Sequence, residues 1–384
     1  MTDPLKILHV TRAPVGGIFR HIVDLARGQV AQGHRVGIVC DSTTGGERAK
    51  AALDALAPDL ALGVTRFAIP REPSPKDPFA LARLARRIND VMPDVLHGHG
   101  AKGAAFARMS SAAPDAIRVY TPHGGSLHYG PHTLAGIIYG ALERFLMART
   151  DLFLFESAFA RDRYLAAIGT PRSLVRVVCN GVTPAEFEPV IPAAGASDVA
   201  YVGEFRHIKG ADVLIDAVAR LNASGRATSL TLAGDGEESA KLHEQVQRLG
   251  LADSIRFAGF QPARTGFSLG RLLVVPSRGD SLPYVVIEAA AAAVPMIATS
   301  VGGIPEIFGT QADRLVAPQD PDALAQAIAT ALDHPASLAA SATALRSHVQ
   351  RHFSQDAMVS GVVHAYREAL TRRHGNVTAA LTLS

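Results

Sequence analysis

A polar loop and the helix after it carry two carboxylates whose spacing suits a ligand pocket. Residues 276–288 read PSRGDSLPYVVIE, so Asp280 lies in the loop, and Pro283 is suited to begin the helix that carries Glu288. The two carboxylates are therefore predicted to lie at two different depths of one pocket. A charge at Glu288 is costly in an alanine-rich helix unless it meets a ligand or a polar partner.

Two cations follow the first apolar strand of the second half of the chain. Residues 203–210 read GEFRHIKG and separate this strand from a helical segment. Arg206 offers a planar fork and Lys209 a point charge, and both suit a diphosphate. Because the helix dipole disfavours positive charge at a helix N-terminus, the two cations indicate a phosphate site rather than solvated surface residues without a ligand.

A glycine pair stands where the first predicted strand turns into the first helix. Gly16 and Gly17 lack a Cβ atom, which allows a phosphate or a sugar to approach backbone amides at a positive helix end. A tight turn without a ligand is the alternative interpretation of this pair.

Three further motifs carry little functional weight. The GDG run at 234–236 lacks the final Gly or Ala of a dinucleotide fingerprint, because Ser239 stands there. The Asp-Pro-Asp run beginning at Asp320 precedes a helical period, so it is predicted to cap a helix rather than to bind a metal. The HGH run at 97–99 has no cysteine or carboxylate cluster beside it, and no metal ligands are predicted.

Short apolar runs alternate with helical periods along both halves of the chain, which predicts parallel sheets with helices on both faces. The predicted strands are residues 5–10, 35–40, 94–97, 117–121, 151–155 and 174–179 in the first half, and residues 199–202, 229–233, 255–257, 272–275, 296–299 and 314–316 in the second.

Length and linker composition predict two main domains. The 384 residues allow two to three domains of ordinary size, and residues 184–198 are aperiodic and rich in turn formers. We predict a first domain at 1–190, a second at 191–354, and a C-terminal helix at 355–384 that returns to the first. The fold class is α/β, with two doubly wound, Rossmann-like parallel-sheet domains facing each other across a ligand cleft.

Composition excludes several classes of protein. With 48% hydrophobic and 19% charged residues the chain is globular, and a net charge of +3 lacks the basic excess of nucleic-acid binders. The two cysteines, Cys40 and Cys179, cannot build a disulfide framework, which fits the cytoplasm. Neither a basic leader nor an uninterrupted apolar run of about 18 residues occurs, so neither export nor a membrane span is predicted.

The segment at 276–288 resembles the signature of the retaining glycosyltransferases of family 4, whose two carboxylates stand eight positions apart, as Asp280 and Glu288 do. Other blocks resemble this family in the family's order over most of the chain. They are Gly16-Gly17, TPHG at 121–124, NGV at 180–182 with Phe187, Lys209-Gly210, GDG at 234–236, FAG at 257–259 and VGGIPE at 301–306.

The resemblance implies the GT-B fold and the transfer of a hexose from a nucleotide-diphosphate sugar to an acceptor hydroxyl, with retention of anomeric configuration. No cofactor is expected, and the cations Arg206 and Lys209, with the helix-cap interpretation of the Asp320 run, predict activity without a divalent metal. It implies that Glu288 binds the ribose and Asp280 the sugar hydroxyls. Lys209 would bind the diphosphate, and His123 would lie near the sugar and the β-phosphate. The resemblance further implies that the donor is bound by Gly16, Gly17, Gly234, Phe260, Leu282, Tyr284 and Val285.

Two positions depart from the family pattern. The first carboxylate is usually Glu and is here Asp280, and Glu204 replaces the usual arginine, so Arg206 is assigned to the diphosphate instead. Chemically, the main task is to stabilise negative charge on the departing diphosphate, which Arg206, Lys209 and the amides near Tyr284 can do. No carboxylate nucleophile is expected.

The stretch SLPY at 281–284 and the opening TRAPVGG at 11–17 resemble bacterial members that build surface polysaccharides on lipid carriers. The expected partners are a uridine or guanosine diphosphate sugar and an acceptor saccharide, with polyprenyl diphosphate as its carrier, at the inner membrane surface. Arg83, Arg86 and Arg87 and the apolar helix at 134–146 could contact such a surface. Solvated charges and an ordinary packed helix are the alternative.

Three other classes of protein remain as alternatives. A GT-B-fold sugar-nucleotide epimerase would form product without an acceptor, and a non-catalytic sensor would bind the donor without turnover. A Rossmann oxidoreductase would need the dinucleotide fingerprint that Ser239 interrupts.

Overall fold

The structure is a computed structural model that describes residues 3–124 and 133–381. The chain divides into two compact units. Unit 1 comprises Met1–Gly181 and Gln355–Ser384, and unit 2 comprises Val182–Ser354.

Unit 1 contains a seven-stranded sheet with the order β3-β2-β1-β4-β5-β6-β7, in which every pairing is parallel. Its strands are β1 (Lys6–Thr11), β2 (Arg35–Asp41), β3 (Val64–Phe67), β4 (Val95–His99), β5 (Ile117–Thr121), β6 (Leu152–Phe155) and β7 (Leu174–Val177). The helices between them are α1 (Gly16–Ala31), α2 (Gly46–Leu56), α3 (Asp77–Val91), α4 (Ala101–Met109), α5 (Leu134–Met147) and α6 (Ala158–Ala167).

Unit 2 contains a five-stranded parallel sheet with the order β10-β9-β8-β11-β12. Its strands are β8 (Ser197–Val202), β9 (Leu230–Ala233), β10 (Ile255–Gly259), β11 (Gly270–Val275) and β12 (Met296–Ala298). Its helices are α7 (Ala211–Ala223), α8 (Ser239–Arg248), α9 (Ala263–Phe267), α10 (Tyr284–Ala291), α11 (Ile304–Phe308), α12 (Pro321–Asp333) and α13 (Pro335–His352). The chain then enters α14 (Gln355–Leu381), which belongs to unit 1.

Both faces of the unit 1 sheet are buried, which explains why its strands read as continuous apolar runs. Along β1, Ile7 packs into a core with α14, whereas its neighbour Leu8 packs into a second core with α3 and α4. Tyr366 of α14 is fully buried in the first of these cores. The predicted class, two doubly wound parallel α/β domains, is therefore confirmed.

The strand prediction differs from the structure at two places. The run 314–316 is not a strand, because only Val316 pairs, in an isolated bridge to Thr299. Strand β3 was not predicted, because this edge strand is short and mostly half-buried and lacks a clear apolar pattern.

The structure assigns residues 182–190 to unit 2, whereas the sequence analysis placed them in the first domain. Long side chains of unit 2 hold this segment by its carbonyl groups. Arg264 donates to the carbonyls of Glu186 and Glu188 at 3.2 and 2.9 Å, and Arg346 donates to that of Phe187 at 2.6 Å. A local composition change cannot reveal such contacts, since their donors lie far along the chain.

A buried ion pair fixes α5 to α4. The Arg108 guanidinium donates to both carboxylate oxygens of Glu143, at 2.9 and 3.3 Å, and stacks 3.8 Å from the ring centre of Tyr120. The opposite side of α5 is apolar and open, since Ile137, Ile138 and Phe145 are each more than half exposed. No helix within residues 3–124 and 133–381 has both the length and the apolar character that crossing a membrane requires.

Candidate functional site

Five histidines gather at the carboxyl edge of the unit 1 sheet. His9 on β1 and His97 on β4 are register partners, and His99 ends β4. His123 follows β5, and His21 projects from α1. Parallel strands bring their carboxyl ends to one edge, which is why residues distant in sequence meet here.

Hydrogen bonds join three of these imidazoles in a chain. His99 contacts His123 through Nδ1 and Nε2 at 3.2 Å, and its own Nε2 lies 3.0 Å from Nδ1 of His9. His9 reaches Oε1 of Gln29 at 2.8 Å. His97 is bound on both sides, by the Tyr366 hydroxyl at 2.6 Å and by Oγ1 of Thr121 at 2.8 Å.

Burial keeps these imidazoles uncharged at neutral pH. It lowers the pKa of His9 to about 4 and that of His123 to about 3. Burial also lowers the pKa values of His21, His97 and His99 well below the usual value, and neighbouring imidazoles lower them further. A neutral imidazole can accept or donate a hydrogen bond, so this edge is polar without being charged.

Sequence reasoning singled out His123 and the 97–99 run but missed His9 and His21. His9 stands in an apolar strand beside Leu8 and Val10, where it reads as a core residue. His21 is buried on α1 next to Ile22. The available signal was strand phase, since His9 alternates with Leu8 and Val10 and therefore lies on the same face of β1 as Ile7.

The predicted glycine turn and His123 both have left-handed backbone conformations. Gly16 begins α1 with φ +62°, a conformation natural for glycine. His123 has φ +49° directly after Pro122, which is uncommon for a residue with a side chain and recurs at ligand sites. Gly17 continues into the first turn of α1.

In unit 2 the structure brings Lys209 and Asp280 together. Lys209 ends a short 3₁₀ turn between β8 and α7, and Asp280 lies in the loop after β11, the neighbour of β8 in the sheet. The Lys209 ammonium donates to Oδ1 of Asp280 at 2.6 Å. Oδ2 of Asp280 is buried and has no hydrogen-bond partner in the described part of the chain.

Two glycines allow the loops around this pair to approach. Gly210 has φ +70°, and a Cβ atom there would lie 2.1 Å from the carbonyl oxygen of Pro276. Gly302 has φ +59°, and its Cβ would lie 1.5 Å from the carbonyl oxygen of Asp280. The VGGIPE block therefore supports Asp280 by close backbone packing, which Gly303 completes by donating its N–H to the carbonyl of Ser281 at 2.7 Å.

Arg278 is a supporting residue that the sequence analysis did not identify. Its guanidinium binds both carboxylate oxygens of Asp212, in the first turn of α7, at 2.7 and 2.6 Å, and also donates to the carbonyl of His207 at 2.7 Å. Arg278 thereby ties the Asp280 loop to the turn that carries Lys209. Only a long-range contact distinguishes it from an ordinary loop arginine.

Arg206 lies at the start of the same 3₁₀ turn but is held loosely. Half of its side chain is exposed, and its nearest carboxylates are Glu204 at 3.8 Å and Glu237 at 4.0 Å. The assignment of Arg206 to a diphosphate stays a prediction.

The other predicted donor residues of unit 2 lie on α10, just before it, or at the ends of β9 and β10. Tyr284 and Val285 form the first turn of α10, Leu282 is buried just before it, and Glu288 lies further along α10 with only 7% of its surface exposed. Gly234 ends β9 in contact with the backbone of Gly203, since a Cβ there would lie 1.9 Å from the Gly203 carbonyl oxygen. Phe260 follows β10 and is 58% exposed.

The motifs that the sequence analysis set aside have structural roles. Oδ1 of Asp320 accepts the N–H of Ala323 at 2.9 Å, so the predicted helix cap is confirmed. Asp322 binds Arg220 at 2.5 Å. In the GDG run, Oδ1 of Asp235 accepts from the Gly236 amide at 2.7 Å and from the Ser239 hydroxyl at 2.8 Å.

Sequence comparison assigns both units to glycosyltransferases. Residues 15–186 match the profile described as Glycosyltransferase Family 4, and residues 196–334 match the profile described as Glycosyl transferases group 1. A glycogen synthase of Mycobacterium tuberculosis is 26% identical over 398 residues, covering 92% of each chain.

Solved structures share the fold. Anabaena Alr3699/HepE, determined in complex with UDP, has a TM-score of 0.78 at 19% identity and covers 95% of this chain and 100% of its own. The same protein has also been determined with UDP-glucose. WaaG, a glycosyltransferase involved in lipopolysaccharide biosynthesis, has a TM-score of 0.68 at 18% identity, with 94% and 98% of the two chains covered. Together with the two parallel-sheet units, these similarities confirm the GT-B fold.

Proposed function

The chain belongs to the family 4-type glycosyltransferases, and from this premise we propose that it transfers a hexose from a nucleotide-diphosphate sugar to a hydroxyl of an acceptor saccharide, with retention of anomeric configuration. The observation that carries the proposal is the Lys209–Asp280 pair at the carboxyl edge of the unit 2 sheet, with Glu288 buried on the helix that follows the Asp280 loop. Ligands of open α/β sheets bind at this edge.

Lys209 is suited to bind the diphosphate. An ammonium has three N–H donors, and Asp280 receives one of them at 2.6 Å. The bond fixes the direction of the side chain, so the remaining donors are positioned before a phosphate arrives. A preorganised cation stabilises the charge that develops on the leaving diphosphate with little reorganisation. Arg206, half exposed on the same turn, is proposed as a second cation.

Asp280 and Glu288 have separate proposed roles. Oδ2 of Asp280, buried and without a partner among the described residues, is proposed to accept hydroxyls of the donor sugar. Glu288 is proposed to bind the ribose. Because Lys209 neutralises Asp280, this carboxylate is a poor nucleophile, which supports a reaction without a covalent glycosyl-enzyme intermediate. Unit 1 is proposed to contribute His123 and the Gly16-Gly17 turn to the donor.

We propose a uridine or guanosine diphosphate sugar as the donor, and the structurally similar HepE, determined with UDP and with UDP-glucose, supports the uridine alternative. Catalysis is proposed to need no divalent metal. Two cations supply positive charge at the predicted diphosphate site, and Asp320 and Asp322 are occupied by a helix cap and by Arg220.

We propose a lipid-linked acceptor in bacterial surface polysaccharide synthesis, with the enzyme on the cytoplasmic face of the membrane. The similarity to WaaG supports such a role. On α5, Ile137, Ile138 and Phe145 are exposed, and the Arg149 guanidinium stacks 4.9 Å from the Phe145 ring centre. An apolar helical face with arginines beside it suits an anionic interface. Arg83 and Arg86 on α3 are also exposed.

Vesicle sedimentation tests the membrane proposal. The full chain should sediment with vesicles containing anionic lipid, and the double variant Ile137→Ser/Ile138→Ser should remain largely in the supernatant. Ile191→Ser, at a position in unit 2 that is 79% exposed, is the matched control and should sediment like the parent chain. Equal sedimentation of both variants would refute the role of α5.

A donor screen followed by product analysis tests the transferase proposal. We expect a uridine or guanosine diphosphate sugar to raise the melting temperature, because a ligand of the native state stabilises it. With a saccharide acceptor, proton NMR should then show the donor's anomeric configuration in the product. An inverted product excludes retention, product without an acceptor identifies an epimerase, and binding without turnover identifies a sensor.

A further inference from the structure

Three imidazoles at the edge of unit 1 enclose a small space with their ring nitrogens. His21, His99 and His123 each direct one ring nitrogen towards it, and these atoms all lie within 4.8 Å of one another. Nε2 of His21 is buried and has no hydrogen-bond partner in residues 3–124 and 133–381. We propose that His21, His99 and His123 bind one transition-metal ion of the zinc class.

The ring geometry fits a single ion. With a Zn–N distance of about 2.05 Å and tetrahedral angles, the ring centres of imidazoles on one zinc ion lie about 5.2 Å apart. The ring centres of His21, His99 and His123 are separated by 4.9, 5.4 and 5.7 Å. The 3.2 Å between Nδ1 of His99 and Nε2 of His123 also matches the spacing of two tetrahedral ligands, about 3.3 Å.

A second histidine group nearby does not fit. His9, His97 and His99 also bring three ring nitrogens together, but the ring centres of His97 and His99 are only 3.9 Å apart. Both nitrogens of His97 are already bound, to Tyr366 and to Thr121. The proposed ion therefore belongs to the His21 group alone.

The residues behind the ligands set the required tautomers. Oδ1 of Asn180 accepts from Nδ1 of His21 at 2.9 Å, which leaves the lone pair on Nε2. Oε1 of Gln29 accepts from His9, so Nδ1 of His9 accepts from Nε2 of His99, and the lone pair of His99 is on Nδ1. Metal-binding histidines usually donate their other N–H to such acceptors.

Imidazole donors select the kind of ion. Neutral nitrogen ligands suit Zn²⁺, Co²⁺, Ni²⁺ and Cu²⁺, whereas Mg²⁺ prefers carboxylate, carbonyl and water oxygens. On binding, His123 presents Nε2 to the ion and carries its proton on Nδ1, so it gives up its hydrogen bond to His99 without net proton release. Three protein ligands leave a fourth position open for water or an anion.

The consequence for catalysis rests on the proposed function. If His123 contacts the donor, an ion that binds its Nε2 withdraws it from that role. Zinc should therefore inhibit transfer, and a chelator should restore it. Metal-independent catalysis and a zinc-binding site are then compatible, because the ion regulates the reaction and takes no part in it.

Cobalt absorbance tests binding without any enzyme assay. The chelator-treated full chain, titrated with Co²⁺, should develop visible d–d bands that saturate at one equivalent, and Zn²⁺ should displace the cobalt. His21→Phe keeps the ring volume without the ligand and should lose this band. The control His348→Gln/His352→Gln removes a histidine pair on α13 whose ring centres lie 4.8 Å apart, and it should retain the band.

A second variant separates ligand loss from misfolding. Asn180→Asp should tighten Co²⁺ binding about tenfold, because a carboxylate behind a ligating imidazole raises its basicity. A band that persists in His21→Phe, or disappears only in the α13 control, overturns the proposal, as does a parent chain without a saturating band. If cobalt binds as expected but no transfer reaction is found, the proposed function fails and the metal site stands.

Discussion

The two units build polar sites of opposite character at the same kind of sheet edge. In unit 1 the site consists of neutral imidazoles, of which His9, His99 and His123 hydrogen-bond to one another in a chain. In unit 2 it consists of a charged pair, Lys209 and Asp280, which are 25% and 12% exposed in their side chains. The same α/β topology thus presents a neutral surface in one unit and formal charges in the other.

The difference follows from how each site is shielded from water. In unit 1, His97 and His99 lie buried within β4, where desolvation lowers their pKa values well below the usual value. In unit 2, Lys209 and Asp280 stand on loops beyond the strand ends, where they are partly solvated and pair with each other. Unit 2 therefore offers formal charges to a ligand, whereas unit 1 offers uncharged donors and acceptors.

Acid should break the unit 1 site first, and this is the largest expected effect. The pKa values of His9 and His123 fall from 6.5 to about 4 and about 3, so the unfolded chain binds more protons below pH 6.5. Their stabilising contribution is complete above pH 6.5 and declines as the pH falls towards those values. At pH 5 each of the two histidines should lower the free energy of unfolding by about 2 kcal/mol relative to neutral pH. Denaturant unfolding of the metal-free chain between pH 7.5 and 5 measures this loss.

His9→Gln should lessen the acid effect, since glutamine keeps a polar side chain but does not titrate in this range. A pH dependence unchanged by this substitution would show that His9 does not contribute to it.

Removing the cation should weaken the unit 2 site selectively. Lys209→Met should lower nucleoside-diphosphate affinity by about 1.5–3 kcal/mol, since a charge-assisted bond to phosphate is lost. Binding of the free nucleoside should hardly change. Calorimetric titration with both ligands measures the two effects. Arg206→Met is the control and should lose less, because the Arg206 side chain is half exposed. Equal losses for nucleoside and diphosphate would contradict the role of Lys209.

The two carboxylates of unit 2 should respond differently to neutralisation. Glu288→Gln replaces a charged acceptor with a neutral one and should weaken nucleotide and intact donor alike by about 1 kcal/mol. Asp280→Asn removes a negative charge beside Lys209, so diphosphate affinity should not fall. Its kcat should fall, because the sugar is less well fixed against the acceptor. If diphosphate affinity falls equally in both variants, measured by calorimetry, the proposed division is wrong.

Chelation should have the smallest effect. Because two cations supply charge at the predicted diphosphate site, the rate of transfer in EDTA should equal or slightly exceed that in untreated buffer. Initial rates with and without the chelator measure this. Complete loss of turnover in EDTA that Mn²⁺ restores would exclude metal-independent catalysis.

Much of the fold and part of the candidate site could be predicted from local sequence. Strand β5 was predicted with its observed bounds, and Asp320 was predicted as a helix cap, because each depends on neighbouring residues. The loops that carry Lys209 and Asp280 were predicted as binding loops, because charged residues follow an apolar strand in each. Strand β3 and the division at Gly181 were missed, since an edge strand and a linker depend on what packs against them.

The sequence by itself determined which chemical groups stand at the strand ends, because strand period and turn residues are local properties. Only the tertiary structure decided which of these groups meet. It placed His9 and His21 beside His99, tied Arg278 to Asp212, and turned Lys209 towards Asp280. Such contacts join residues from about 70 to 90 positions apart, and chain packing rather than local propensity sets their distance.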